Sequence, residues 1–146
     1  MKLVLLAHVA ATLFMTGVIW FVQVVHYPLF DRVHGAEFNA YAAAHGRLTT
    51  YIVAPPMFVE LITGALLLFW RRPAGVGWLP LGLSFALIIV IWLSTFLLQV
   101  PQHDTLGVGF DAAAHRTLVF TNWLRTAAWT LRSLLVLRII TAMIKE

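Results

Sequence analysis

The sequence predicts an all-α integral membrane protein, in which residues 1–146 form a single domain built as a transmembrane four-helix bundle. Hydrophobic residues make up 61% of the 146 positions and charged residues only 11%, whereas a soluble domain averages about 25% charged residues. The mean hydropathy is +0.88. Four apolar stretches are each long enough to cross the hydrocarbon core of a bilayer, which takes about 20 helical residues. We therefore expect membrane lipid to surround most of the chain.

The four predicted spans are joined by one short break and two longer connections. The break, residues 71–77, contains two arginines, a proline and two glycines, a composition that interrupts a helix. The longer connections, 27–47 and 101–116, contain alanine-rich segments that allow short interfacial helices. In chain order, the predicted spans cover residues 3–25, 48–70, 78–100 and 117–142.

The distribution of charge predicts how the chain is oriented. The two longer connections hold four acidic residues against three arginines. Because cytoplasmic loops are enriched in lysine and arginine, we expect both termini to lie in the cytoplasm, with the protein in an inner or plasma membrane. This topological role accounts for the net charge of +4, so no nucleic-acid partner is expected. The basic residues near the chain ends and in the short break are Lys2, Arg71, Arg72, Arg138 and Lys145, against a single acid, Glu146.

The two halves of the chain show a faint internal repeat. FVQVVHYPLF, residues 21–30, resembles FLLQVPQHDTL, residues 96–106, and AYAAAHGR, residues 40–47, resembles FDAAAHRT, residues 110–117. Two pseudo-repeated helical hairpins would produce this pattern, although short alanine runs also recur by chance. A true repeat would gather four histidines at the outer ends of the spans: His26, His45, His103 and His115.

The fourth span carries polar residues along one helical face. Its steps of three or four residues align a set of side chains that comprises His115, Asn122, Arg125 and Arg132. Charged groups at bilayer depth are costly and normally face a bundle interior, a water-filled cavity or an opposite charge. We therefore expect the other spans to meet this face with polar stripes of their own. On the third span this stripe includes Trp92, Thr95, Gln99 and His103.

Glu60 is an acidic residue inside the second predicted span. At 1.5 Å per helical residue it lies about 18 Å from the outer surface, between Arg125 at about 12 Å and Arg132 at about 22 Å. One of the two arginines is therefore expected to be its counter-ion. Two interpretations stay open: a structural ion pair that fixes helix packing, or a surplus arginine that binds an anionic or carbonyl-bearing ligand.

Histidines are the residues best suited to hold a cofactor in this chain. Neutral imidazole is a frequent ligand of iron and copper, and the chain has no cysteine to supply thiolate ligands. Asp104, Asp111 or Tyr27 would complete or orient such a site. Structural hydrogen bonding near the membrane interface is the alternative. His34 is predicted to be a solvated loop residue and His8 a hydrogen-bonded residue of the bundle. The predicted ligands of a transition metal (iron or copper) or of haem are His26, His45, His103 and His115.

The segment 99–125 resembles a known family. Its last part, the run NWLRT at residues 122–126, follows a short polar loop and resembles the anthrone-oxygenase-like family of small four-helix membrane proteins. Gln23 with Pro28, and then the pair Pro55-Pro56, are similar to the same pattern. The resemblance implies oxidation of polycyclic aromatic anthrones to quinones, with the asparagine and the arginine of NWLRT as the functional pair. The outer-face histidines exceed that pattern and count against a cofactor-free mechanism.

The favoured function is a membrane-embedded oxidoreductase or oxygenase that acts on a lipophilic small molecule at the histidine-lined metal or haem site near the outer face. In this hypothesis Asn122 and Arg125 bind a substrate oxygen and stabilise the charge that develops on it. Glu60 holds the arginine in place or moves a proton. The alternatives are a non-catalytic accessory subunit of a larger membrane complex and a quinone- or lipid-binding module. Whether the chain forms a homo-oligomer or joins a larger complex stays open.

Overall fold

Helix covers nearly all of the chain. The structure is a computed structural model that describes residues 2–33, 35, 37–70, 72–73 and 75–144. These residues form four long helices and no strand, which confirms the all-α prediction. The helices are α1, Lys2–Arg32; α2, Glu37–Trp70; α3, Trp78–Val108; and α4, Ala112–Ile144. His34, Arg71, Lys145 and Glu146, which enter the sequence predictions, lie outside the described residues.

Three of the four helices are suited to a membrane. α1, α2 and α3 contain 31, 34 and 31 residues and are apolar enough to cross a bilayer. α4 is as long, with 33 residues, but its histidine, asparagine and arginines reduce its hydropathy. The helices therefore support a membrane protein, while a membrane-crossing path for α4 stays a prediction.

The helices extend further than the sequence predicts. Most of the two connections predicted at 27–47 and 101–116 is helical, and among the described residues Val33, Gly35 and residues 109–111 join the helices there. The alanine-rich segments, for which short interfacial helices were expected, belong to the long helices α2 and α4. Pro28 and Pro101 each follow a π-helical turn and lie in the first turn of the next helical segment. Proline is tolerated there because its missing N–H would have no helical partner.

The four helices pack against one another in cyclic order. α1 contacts α2, α2 contacts α3, α3 contacts α4, and α4 contacts α1, so α2 and α4 are diagonally opposite. We call the end at Val33 and residues 109–111 the histidine end, and the end with residues 72–73 and 75–77 the terminal end. Buried apolar clusters lie at the histidine end around Phe30, in the middle around Trp129, and at the terminal end around Leu81.

The surface and the interior have the polarity expected for lipid contact. Large apolar side chains such as Phe14, Phe69 and Phe120 are exposed. The largest fully buried side chains include the polar residues Arg132, Gln99 and Glu60 beside aromatic and aliphatic ones. The prediction that polar stripes face the interior is therefore confirmed for these residues.

Candidate functional site

A buried ion pair connects the diagonally opposite helices α2 and α4. The Glu60 carboxylate accepts hydrogen bonds from Nη1 of Arg132 and from Nε1 of Trp129 at 3.0 Å. Arg132 also donates to the Thr12 hydroxyl on α1 at 3.2 Å. Glu60 and Arg132 are almost fully excluded from the surface. The counter-ion of Glu60 is thus the deeper arginine.

His8 belongs to the same deep cluster. Its Nδ1 lies 2.8 Å from the Thr63 hydroxyl, and its Nε2 lies 3.5 Å from Nη2 of Arg132. This confirms His8 as a hydrogen-bonded residue of the helix packing. Glu60, which the sequence reasoning placed with the functional residues, therefore lies in a cluster that joins α1, α2 and α4.

Arg125 is the surplus arginine. Its side chain is only 7% exposed, and its guanidinium carbon lies 5.3 Å from the centroid of the Trp129 ring. It also lies beside the hydroxyl of Tyr27. Among the described residues no carboxylate forms a salt bridge with it, and its buried Nε has no hydrogen-bond partner. A buried cation without a counter-ion is costly, so this position calls for a functional explanation.

The guanidinium of Arg125 borders a cavity between α2 and α3. The cavity has a volume of about 410 Å³, within the range of about 300–1,000 Å³ that is common for small-molecule sites. We call it the α2–α3 cavity. Aromatic and aliphatic side chains form most of its wall, and its polar lining consists of Tyr27, His45, Thr49, Thr50, Thr95, Gln99, His103, Asp104 and Arg125.

Two buried polar residues hold the inner wall of this cavity. The amide of Gln99 donates to the Thr121 hydroxyl on α4 at 3.1 Å, and its carbonyl oxygen accepts from Ser94 at 3.0 Å. The Tyr27 hydroxyl lies 3.0 Å from Nε2 of His103. The sequence reasoning did not propose Gln99 as a site residue. The polar stripe on the third span was the available signal, because four of its members line the cavity.

Three of the four predicted histidine ligands lie close together. Nε2 of His26 and Nδ1 of His45 are 2.7 Å apart, and the rings of His45 and His103 are 5.3 Å apart. His115 instead binds the backbone carbonyl of Tyr27 through Nε2 at 2.8 Å. The histidine end therefore holds a group of three histidines with a fourth nearby.

Phe30 explains why the four histidines do not converge. Its ring is fully buried and lies within 4.9–6.4 Å of the histidine rings on both sides, stacked almost parallel on His115. An aromatic side chain thus fills the space that a shared metal would need. Within the residues that the structure describes, no group of three or more histidine, aspartate or glutamate side chains could hold a metal ion. The arrangement of the four histidines in this structure does not fit one shared metal ion. A metal or haem site formed by His26, His45, His103 and His115 therefore stays a prediction.

Asn122 faces a different neighbour from Arg125. Its amide donates to the Gln23 carbonyl oxygen on α1 at 2.9 Å, and Gln23 in turn donates to the backbone of Val119 at 3.1 Å. Asn122 is fully buried, and its own carbonyl oxygen has no partner. It does not line the α2–α3 cavity. The predicted functional pair is therefore divided between the α1–α4 interface and the cavity.

Comparison of the chain with protein-family models, with curated proteins and with solved structures finds no match. The resemblance to the anthrone-oxygenase-like family consequently stays a prediction that rests on the residues quoted above.

Proposed function

We propose that the chain is a membrane-embedded oxidoreductase of the anthrone-oxygenase type, whose lipophilic substrate binds in the α2–α3 cavity through an oxygen atom. The observation that carries this proposal is Arg125, a buried cation that borders the cavity and forms no salt bridge with a described residue. A ligand that brings an enolate, phenolate or carbonyl oxygen would supply the missing acceptor.

The chemistry available to these side chains is proton transfer beside a stabilised oxyanion. Arg125 would bind the carbonyl oxygen of a substrate whose neighbouring ring carries an acidic CH₂ group, and would stabilise the enolate formed when a proton leaves. His103, which lines the cavity, would take that proton. It would do so through Nδ1, or through the Tyr27 hydroxyl bound to Nε2, depending on its tautomer.

Dioxygen is the oxidant in this proposal. It adds to the carbanion, the proton returns to give a hydroperoxide, and loss of one water leaves a new carbonyl group. Each turnover then consumes one dioxygen, releases one water and converts CH₂ into C=O. Asn122 would act at a distance, by fixing α4 against α1 through Gln23.

A metal or haem at the histidine end remains a separate proposal. One iron or copper ion could bind His26, His45, His103 and His115 only after two changes. The hydrogen bond between His26 and His45 would have to break, and the ring of Phe30 would have to move away. Metal and haem analysis of the purified parent protein, repeated after His45→Ala, would test it. A stoichiometric metal that disappears in the variant would support the site.

The membrane arrangement also belongs to this proposal. A transmembrane four-helix bundle, with α4 as its fourth span, would bury the polar face of α4 against α1 and α3 and leave apolar side chains such as Phe120 to lipid. Two hairpins, α1–α2 and α3–α4, would be the pseudo-repeats. The shared π turn before Pro28 and before Pro101 supports this relation.

A quinone- or lipid-binding module is the second candidate. It is favoured by the hydrogen bonds that already occupy one nitrogen of each histidine at the histidine end. Such a module would use Arg125 in the same way but would release its ligand unchanged.

Turnover of a hydroxyanthrone tests the oxidoreductase proposal. Purified protein in detergent should consume dioxygen and form the anthraquinone, whereas Arg125→Gln should lose at least about a hundredfold in rate, the typical effect of removing one oxyanion donor. Arg138→Gln is the matched control, because Arg138 lies on the exposed surface of the same helix. Binding of the anthraquinone without turnover would favour the binding module. No binding and no turnover by the parent protein would overturn both candidates.

A further inference from the structure

The α2–α3 cavity has an aromatic entrance on the outer surface of the helices. Phe58 on α2 and Phe96 on α3 are 52% and 58% exposed and line the cavity. Trp92 lies between them, with its ring centroid 5.1 Å from that of Phe58 and 5.7 Å from that of Phe96. The three rings form what we call the aromatic portal.

The cavity has an aromatic mouth and a polar inner end, and the exposed side chains of Thr50 and Asp104 also border it. The rings of the portal lie at the surface, while Arg125 and Gln99, each more than nine-tenths buried, lie at the inner end. A ligand that fits both regions has a flat apolar body and an oxygen at one end. Flat aromatic rings suit this portal, because aromatic pairs favour centroid separations of about 4.5–7 Å in tilted or offset geometry.

The portal opens on a surface that the helices would present to lipid. α2 and α3 are both long and apolar enough to cross a membrane, and the exposed neighbours Val59 and Leu93 are apolar. Pro55 and Pro56 weaken α2 beside the cavity, because a proline cannot donate to the carbonyl four residues earlier. We therefore expect this part of α2 to bend when a ligand passes.

We infer that a planar, oxygen-bearing aromatic molecule reaches Arg125 sideways from the bilayer, between α2 and α3 and past the portal formed by Phe58, Trp92 and Phe96. The inference rests on the proposed function, because it takes the α2–α3 cavity as the ligand site, and it adds the route of entry and the side chains that the ligand passes. A fatty acid also has a lipophilic body and an anionic end, but it would gain nothing specific from three aromatic rings.

Reversible closure of the portal tests the route. Because the sequence has no cysteine, the pair Phe58→Cys and Trp92→Cys can be bridged by a short thiol cross-linker that dithiothreitol cleaves. In liposome-reconstituted protein, stopped-flow fluorescence would follow association of 1,8-dihydroxyanthraquinone. Compared with the unbridged double-cysteine variant, the bridge should slow association at least about tenfold, since binding would then require a rearrangement. Reduction should restore the rate of that unbridged variant.

A second cysteine pair provides the matched control. The α1–α2 side carries another apolar groove, of about 660 Å³, that Phe14 and Ile52 line. Bridging Phe14→Cys to Ile52→Cys should leave association unchanged. If this bridge blocks binding and the portal bridge does not, the route is wrong while the proposed site survives. If the unbridged protein binds no anthraquinone, the proposed function itself fails.

Contact between the ligand and the portal is tested by substitution of Trp92. Trp92→Ala should weaken 1,8-dihydroxyanthraquinone binding roughly three- to tenfold, the value of one aromatic contact, and Trp92→Phe should recover most of the affinity. Trp70→Ala, which removes an exposed tryptophan elsewhere on α2, should have no effect. Oleic acid binding that falls equally in Trp92→Ala would overturn the preference for planar aromatic molecules.

Discussion

Arg125 and Arg132 lie two helical turns apart on α4 and are both buried, but their surroundings differ. Arg132 has Glu60 as counter-ion and Thr12 as a further acceptor. Arg125 has the ring face of Trp129, the Tyr27 hydroxyl and a cavity. Glu60 also accepts a hydrogen bond from Trp129, whose ring lies beside the guanidinium of Arg125. The cluster around Glu60 and Arg132 therefore helps to fix the position of Arg125. The difference between the two arginines comes from the side chains that the other helices present at each depth.

The partner of Glu60 can be identified by a double-mutant cycle. Glu60→Gln should destabilise the fold by about 3–5 kcal/mol, because Arg132 would be left as an uncompensated buried charge. Adding Arg132→Met should recover much of this loss in thermal denaturation of the detergent-solubilised protein. Adding Arg125→Met instead should recover little. A larger rescue from Arg125→Met would contradict the assignment of the ion pair.

At the scale of the helix, close approach depends on Gly64 in α2. A Cβ atom at this position would lie 2.7 Å from Cδ1 of Ile88 on α3 and 3.3 Å from Cε1 of His8 on α1. Small residues allow membrane helices to approach closely. Gly64 therefore holds α1, α2 and α3 together near the terminal end, while the same pair α2 and α3 encloses the cavity nearer the histidine end.

Gly64→Ala should reduce stability by about 1–3 kcal/mol, as overpacking of a tight core usually does. Ile88→Val removes the Cδ1 atom that the new methyl group would meet, so the double variant should be more stable than Gly64→Ala alone. Thermal denaturation of the three variants measures this. Gly82→Ala is the control, because nothing lies within 4 Å of its Cβ position. Equal losses at Gly64 and Gly82 would show that close packing is not the cause.

At the scale of the whole molecule, the histidine end and the terminal end should lie on opposite sides of the membrane. Because basic residues flank the terminal end, we expect it to lie in the cytoplasm by the positive-inside rule. Cysteines introduced at Asp31 and Asp104, which are exposed at the histidine end, should react with a membrane-impermeant maleimide on intact cells. A cysteine at Arg72 should react only after permeabilisation, and the reverse pattern would invert the topology.

The sequence by itself was sufficient for the helical class, the membrane character and the polar interior. Hydropathy and helical periodicity determine these properties, because each depends only on residues close together in the chain. They also identified Glu60, Arg125 and Arg132 as a set in which one arginine exceeds the available acid.

The tertiary structure decided which arginine is in excess and where the histidines point. Both depend on the rotation and depth of four helices relative to one another, which no local pattern encodes. Phe30 is the clearest case: the short 3₁₀ turn Pro28–Arg32 directs its ring among the histidines, where the sequence alone suggested a shared metal. The α2–α3 cavity likewise arises only when Arg125 from one helix meets Gln99 and His45 from two others.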